Sequence, residues 1–280
     1  MISPLPDLLI EPVVRAALAE DLGRAGDVTA ALIPEGQRIA AVFAARADGR
    51  VAGLACARLA IAAMDPTARF TVETPDGADV AKGGIIARVE GNARAVLSAE
   101  RVALNFLGRL CGVATLTRAY VRAVEGTGAR IVCTRKTTPG LRALEKYAVR
   151  CGGATNHRYG LDDAILIKDN HVAACGGIGP ALARARETAG HLMKIEVEVD
   201  SLDQLDEALP YRPDVIMLDN FALADLVEAV RRVAGRIPLE ASGGVNLTTV
   251  RAIAETGVDA ISVGALTHSA PVLDIGLDAV

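Results

Sequence analysis

From residue 129 onward the chain alternates short apolar runs with amphipathic stretches. The runs lie at 130–133, 164–167, 194–199, 215–218, 238–241 and 260–263. The last four begin 21–23 residues apart, and helical spacing at 202–209, 223–233 and 248–255 fills the gaps. A strand–helix pitch this short predicts parallel strands joined by right-handed crossovers. Such strands are buried on both faces, so their runs are continuously apolar instead of alternating. A β/α barrel and an open doubly wound sheet both suit the pattern, and the regularity of the repeat favours the barrel.

The first ~110 residues read as a mixed α/β unit. Helical spacing covers 11–22, and Asp48-Gly49 between 39–47 and 50–55 predicts a hairpin. A strand is expected at 85–91, after the Lys82-Gly83-Gly84 turn. An amphipathic helix is expected at 97–110, with Ser98 as its N-cap.

Composition narrows the function. A 51% apolar, 23% charged chain builds an ample core, and a net charge of −4 argues against a general nucleic-acid or membrane-surface binder. No apolar run reaches the ~18–20 residues that span a bilayer. The first 21 residues carry prolines and acids and no basic leader, so a signal peptide is not expected. Five cysteines (56, 111, 133, 151, 175), odd in number and without a CxxC pair, predict neither a disulfide scaffold nor a zinc knuckle, and fit a reducing cytoplasm. Arginine is the default cation, and three of the five lysines (Lys136, Lys146, Lys168) fall within one 33-residue stretch that holds His157 and is followed closely by His171.

In a β/α barrel the chemistry gathers at the C-terminal strand ends. Those ends carry Thr134-Arg135-Lys136, Lys168-Asp169-Asn170-His171 preceded by His157-Arg158, Glu196 and Glu198, Asp219-Asn220, Ser242-Gly243-Gly244, and Gly264-Ala265. Residues 134–171 hold seven Lys/Arg against four Asp/Glu, and 194–240 hold eleven Asp/Glu against five Lys/Arg. A cationic wall should therefore face an anionic one. The first suits a multiply charged acid; the second can hold a divalent metal or accept hydrogen bonds from sugar hydroxyls. Ser242-Gly243-Gly244 before a helix offers bare N–H groups to a phosphate. There is no P-loop, and Gly177-Ile178-Gly179 lacks the third glycine of a dinucleotide fingerprint. Asp162-Asp163 reads as surface or cap, and Asn246-Leu247-Thr248 as a helix start.

These residues resemble a known family. Residues 134–142 (TRKTTPGLR) are similar to the signature of quinolinate phosphoribosyltransferases. The segments 156–161 (NHRYGL), 167–171 (IKDNH), 196–198 (EVE), 218–221 (LDNF) and 240–244 (EASGG) follow in the same order, and 100–106 (ERVALNF) matches the helix closing the N-terminal domain. The resemblance implies an α/β sandwich domain at 1–112, with the tail 270–280 packing back on it, and an incomplete seven-stranded α/β barrel at 113–269. The seventh strand is then expected near 150–160. It also implies phosphoribosyl transfer from phosphoribosyl pyrophosphate to quinolinate with decarboxylation and Mg²⁺. The protein would be a cytoplasmic homodimer or higher oligomer.

By the same resemblance Arg101, from a neighbouring subunit, joins Arg135, His157, Arg158 and Lys168 around quinolinate. Thr134 lies beside them, and Lys136 holds phosphate or pyrophosphate oxygens. Glu198 and Asp219 take the ribose hydroxyls, directly or through Mg²⁺. Ser242, Gly243, Gly244, Val263, Gly264 and Ala265 take the 5′-phosphate. Lys136, Lys168, Glu198 and Asp219 are the expected catalytic groups. Three rivals stand beside this reading: the paralogue associated with molybdenum transport, a Schiff-base aldolase using Lys168 or Lys136, and a barrel that only binds phosphate metabolites.

Overall fold

The computed structural model describes residues 2–280. In chain order its strands are β1 (Arg38–Ala45), β2 (Gly49–Arg50), β3 (Arg69–Val72), β4 (Asp79–Val80), β5 (Ile85–Asn92), β6 (Arg130–Val132), β7 (Ile165–Ile167), β8 (Ile195–Val199), β9 (Val215–Asp219), β10 (Leu239–Ser242), β11 (Ala260–Ser262) and β12 (Ile275–Ala279). The chain divides into two compact units. One comprises residues 1–118, 137–153 and 266–280, and the other 119–136 and 154–265.

The first unit holds a four-stranded antiparallel sheet in the order β12-β1-β5-β3. The hairpin expected around Asp48-Gly49 is not formed. β1 pairs instead with β5, Arg38 opposite Asn92, and only Gly49–Arg50 stays extended, against Asp79–Val80. The short apolar run at 51–55 suits a buried helix start as well as a strand, and a helix begins there, over Leu54–Met64. Gly53 turns the chain into it at φ +97°, and a β-carbon there would lie 2.6 Å from Leu110 Cδ1. Asp48 accepts a hydrogen bond from the Lys82 N–H instead of closing a turn.

The expected helix at 97–110 runs over Ala93–Ala123. Its start is marked by Asn92, whose Oδ1 accepts from the Ala95 N–H. Ser98 is therefore not the cap: it lies inside the helix and donates its hydroxyl to Asp27. Phe43, Ile61, Ile86, Leu107 and Leu110 are fully buried in this unit. So is Glu145, on the helix Arg142–Cys151, which takes two hydrogen bonds from Arg109 and two from Thr138. Lys146 is buried on the same helix.

The second unit is the parallel sheet that the apolar runs predict, in the order β6-β11-β10-β9-β8-β7. Each of the six runs coincides with a strand. Near the place of the expected seventh strand, Thr155 forms a single parallel bridge to Val132. That bridge extends the order past β6 by one residue, too short to be a strand. Helices Ile178–Thr188, Leu202–Ala208, Leu223–Val233 and Val250–Glu255 cover the sheet with buried Leu182, Leu205, Leu226 and Val250. No helix among the described residues is long and apolar enough to cross a membrane.

Candidate active site

The parallel register places the functional strand ends side by side in the second unit. Glu198 lies opposite Met217, and Asp219 lies opposite Ser242. Alternation along β8 puts Glu196 and Glu198 on one face of the strand, with Val197 and Val199 on the other.

Lys168 follows β7 and caps the helix Asp169–Cys175. His171 reaches back to accept the Lys168 N–H at 2.9 Å, which fixes the backbone from which the lysine projects. The Lys168 ammonium meets Glu198 Oε2 in an ion pair. The cationic and anionic walls thus touch here. Thr134 Oγ1 accepts the Lys136 N–H at 3.0 Å, so the β6 end turns tightly and leaves the Lys136 side chain exposed.

Asp219 ends β9 beside the glycine loop. Asn220 joins the two: its Nδ2 donates to Asp219 Oδ2 at 2.7 Å and its N–H to the Ser242 carbonyl at 2.9 Å. It does so in the left-handed conformation, φ +57°. Gly243 and Gly244 follow at φ +94° and +60°. Gly243 has no space for a side chain, because a β-carbon there would lie 2.1 Å from Asn220 Oδ1. Successive N–H groups in this geometry form an anion-binding concavity. Val263 is buried and donates its N–H to Val132, and Gly264 and Ala265 follow it at the end of β11, the strand beside β10.

Arg158 donates through Nη1 to the Ala164 carbonyl at 3.0 Å. Burial and the nearby Arg135 guanidinium hold its pKa below the usual guanidinium value, while Glu196 and Asp163 oppose that shift. His157 Nε2 faces Glu196 Oε2 at 3.1 Å and Glu240 Oε1 at 3.5 Å, and both acids are buried. Burial, and next the Glu196 charge, push the Glu240 carboxyl up to about 7.

The second unit therefore brings Thr134, Arg135, Lys136, His157, Arg158, Lys168, Glu198, Asp219, Ser242, Gly243, Gly244, Val263, Gly264 and Ala265 onto the ends of one sheet or the loops that follow them. Arg101 belongs to the first unit, exposed on the helix Ala93–Ala123. Three further residues stand out: the strand-end survey named Glu196 and Asn220 without giving them a role, and did not name Glu240. Glu196 and Glu240 lie deeper in the sheet, and Asn220 sits one place past an expected acid. Glu196 is signalled by its period-two relation to Glu198, and Asn220 by an asparagine at a sharp turn.

Residues 27–111 match the quinolinate phosphoribosyl transferase N-terminal domain, and residues 113–278 match its C-terminal domain. The probable nicotinate-nucleotide pyrophosphorylase (carboxylating) of Bacillus subtilis is 44% identical over 271 residues, 97% of this chain and 93% of the relative. The nicotinate-nucleotide pyrophosphorylase (carboxylating) of Mycobacterium leprae is 47% identical over 271 residues, 95% of each chain. The solved structure of the nicotinate-nucleotide pyrophosphorylase from Francisella tularensis superposes with a TM-score of 0.94 at 38% identity, covering 100% of this chain and 99% of that one.

Proposed function

This chain belongs to the quinolinate phosphoribosyltransferase family, and on that footing we propose how its residues carry out the reaction. The activity is that of a decarboxylating quinolinate phosphoribosyltransferase in NAD biosynthesis. Quinolinate and phosphoribosyl pyrophosphate give nicotinate mononucleotide, pyrophosphate and CO2.

The observation that carries the site assignment is the meeting of Lys168 with Glu198 at adjoining strand ends, with Asp219 and the glycine loop next along the sheet. Quinolinate is a dicarboxylate. Arg135, His157, Arg158 and Lys168 form the wall it approaches, and guanidinium–carboxylate bonds orient it. Ser242, Gly243, Gly244, Val263, Gly264 and Ala265 receive the 5′-phosphate on backbone N–H groups, and Thr134 and Lys136 take pyrophosphate oxygens. That arrangement turns the pyridine nitrogen toward the anomeric carbon.

The nitrogen–carbon bond forms as the carbon–oxygen bond to pyrophosphate breaks and its electron pair leaves with pyrophosphate. Positive charge develops on the ribose ring, where Glu198 and Asp219 stabilise it. The pyridinium then accepts the electron pair released when the 2-carboxylate departs as CO2, and the resulting ylide takes a proton. Glu198 and Asp219 are neighbouring hard oxygen donors at strand ends, and Asp219 is already held by a side-chain N–H, so they fit Mg²⁺ directly or through water. When bound, Mg²⁺ supplies charge neutralisation for the departing pyrophosphate.

Arg101, exposed on its helix, is assigned to the site of a second copy in a homodimer or higher oligomer. A cytoplasmic setting suits the five free cysteines; burial pushes Cys56, Cys111 and Cys151 up to about 12, leaving inert thiols. The experiment is direct. Purified protein given quinolinate, phosphoribosyl pyrophosphate and Mg²⁺ should release CO2 and nicotinate mononucleotide in equal amounts. Nucleotide formed without CO2, or no product, overturns the reading.

A further inference from the structure

We propose that Glu196 and Glu240 are positioning residues, which lock His157 in one tautomer and so set the Arg158 backbone in the quinolinate wall. The inference rests on the reaction above and adds residues to it.

The argument starts with the ring of His157. Its Nδ1 accepts the Arg158 N–H at 2.7 Å, so Nδ1 presents a lone pair and carries no proton. A neutral imidazole then carries its proton on Nε2. That N–H faces Glu196 Oε2 at 3.1 Å and Glu240 Oε1 at 3.5 Å. Both ring nitrogens are engaged within the chain. Hydrogen bonding at one nitrogen dictates the chemistry of the other, and here it makes Nε2 a donor.

Two other roles fit less well. His157, Glu196 and Glu240 offer three ligand atoms within 4.8 Å of one another, the grouping of a metal centre. A metal at Nε2 needs a lone pair there, and the hydrogen bond at Nδ1 has placed the proton on that atom. Within the quinolinate wall His157 therefore acts through Arg158 and not through a ring N–H of its own, since the available one faces the acids.

The acids also have features of a functional element. Glu196 is 8% exposed and Glu240 5% exposed. The Oε1 atoms of both lack a hydrogen-bond partner, so Glu240 Oε1 acts on the ring at 3.5 Å by charge, and Glu196 Oε2 at 3.1 Å is the nearer acceptor for Nε2. Buried carboxylate oxygens without donors destabilise a fold. Here Glu196 provides negative charge close to Arg158, which lies near a second guanidinium, Arg135. Glu196 therefore offsets repulsion within the wall before the dicarboxylate arrives, and the wall is preorganised. Glu196 acts on Arg158 by charge; both acids act on it through the imidazole, whose Nδ1 holds the arginine's own N–H.

The test uses full-length enzyme with Glu240→Gln, Glu196→Gln, His157→Ala and His157→Asn. Each Gln variant should raise the quinolinate KM by about tenfold, the equivalent of one hydrogen bond to a charged group. The phosphoribosyl pyrophosphate KM and kcat should stay within about threefold. Their melting temperatures should hold or rise, since a buried charge is lost. His157→Asn retains an acceptor near the Nδ1 position and should recover part of the loss in His157→Ala. Combining His157→Ala with Glu240→Gln should be no worse than His157→Ala alone. Additive losses, or equal rises in both KM values, overturn the proposal.

Nitrogen NMR of the unaltered enzyme decides the matter if a variant fails to fold. The His157 ring should show a bare Nδ1 and a protonated Nε2, with quinolinate bound and without it. Protonation of both nitrogens on binding would assign the ring to the substrate. An unaltered enzyme that turns over no quinolinate would sink the functional reading itself; turnover with unshifted variants would sink this inference alone.

Discussion

Gly243 offers a sharp test of how the ribose end of the site is held, because its neighbour Gly244 supplies the control. Both residues have positive φ, so alanine at either position carries left-handed strain of ~1–2 kcal/mol. They differ in what a β-carbon would meet. At Gly244 there is nothing within 4 Å. At Gly243 the new carbon would sit 2.1 Å from Asn220 Oδ1, 2.6 Å from its Cγ and 2.9 Å from its backbone N, so the asparagine side chain must swing away and the backbone beside it must shift. That swing breaks the 2.7 Å bond from Asn220 Nδ2 to Asp219. Hydrogen bonds to charged groups contribute ~1.5–3 kcal/mol, and exposure of Asn220 places this one at the lower end. About 1.5 kcal/mol corresponds to roughly tenfold in rate. Gly243→Ala should therefore lose at least about tenfold more kcat/KM for phosphoribosyl pyrophosphate than Gly244→Ala, and melt at a lower temperature because its backbone contact with Asn220 must also relax. The assay varies phosphoribosyl pyrophosphate at saturating quinolinate. Equal losses in the two variants would show that Asn220 does not control Asp219.

Four further outcomes can be checked. Lys136→Ala and Lys168→Ala should each fold and lose about 10–150-fold in kcat/KM, the value of one charge-assisted bond to an anion, and near-normal turnover in both would remove them from the site. Glu198→Gln and Asp219→Asn should lower kcat more than they weaken quinolinate binding measured by titration; collapse of that binding would mean the two walls are reversed. Inactive Arg101→Ala and Lys168→Ala chains, mixed with subunit exchange verified, should regain about a quarter of normal activity if Arg101 acts on a second copy of a two-fold dimer, and none if it acts within its own chain. Arg109→Ala should cost ~3–5 kcal/mol in denaturant unfolding, because it removes the cation paired with Glu145, whose side chain is 0% exposed; a loss under ~1 kcal/mol would assign Glu145's support to Thr138 alone.

The parallel strands were legible because burial on both faces writes mainly apolar runs, and all six runs fall on strands, although glutamates interrupt those at 194–199 and 238–241. The first unit was harder to read. Residues 51–55 are apolar, and helix and strand starts share that signature until Gly53 and Leu110 are seen in contact. β3 and β12 left little trace, since their residues are largely half-buried or exposed and carry no clear alternation. Reading the strand ends located the cations and acids of the candidate site, because parallel register aligns such ends by topology. It did not reveal that His157 turns toward Glu196 and Glu240. That meeting joins three separate segments, and no spacing within any one of them encodes it.

β12 pairs with β1 from Ala41–Ala279 to Ala45–Ile275, and the Val280 N–H reaches the Ala40 carbonyl. During synthesis β1 emerges roughly 230 residues before the strand that flanks it, with the whole parallel sheet made in between. Throughout that interval one side of β1, an apolar strand containing Val42 and Phe43, presents a row of backbone groups that nothing has yet paired. The nascent chain thus carries an adhesive edge for most of its time on the ribosome. Shortening the chain by a few residues at its far end would make that transient hazard permanent, with insolubility appearing before any loss of chemistry.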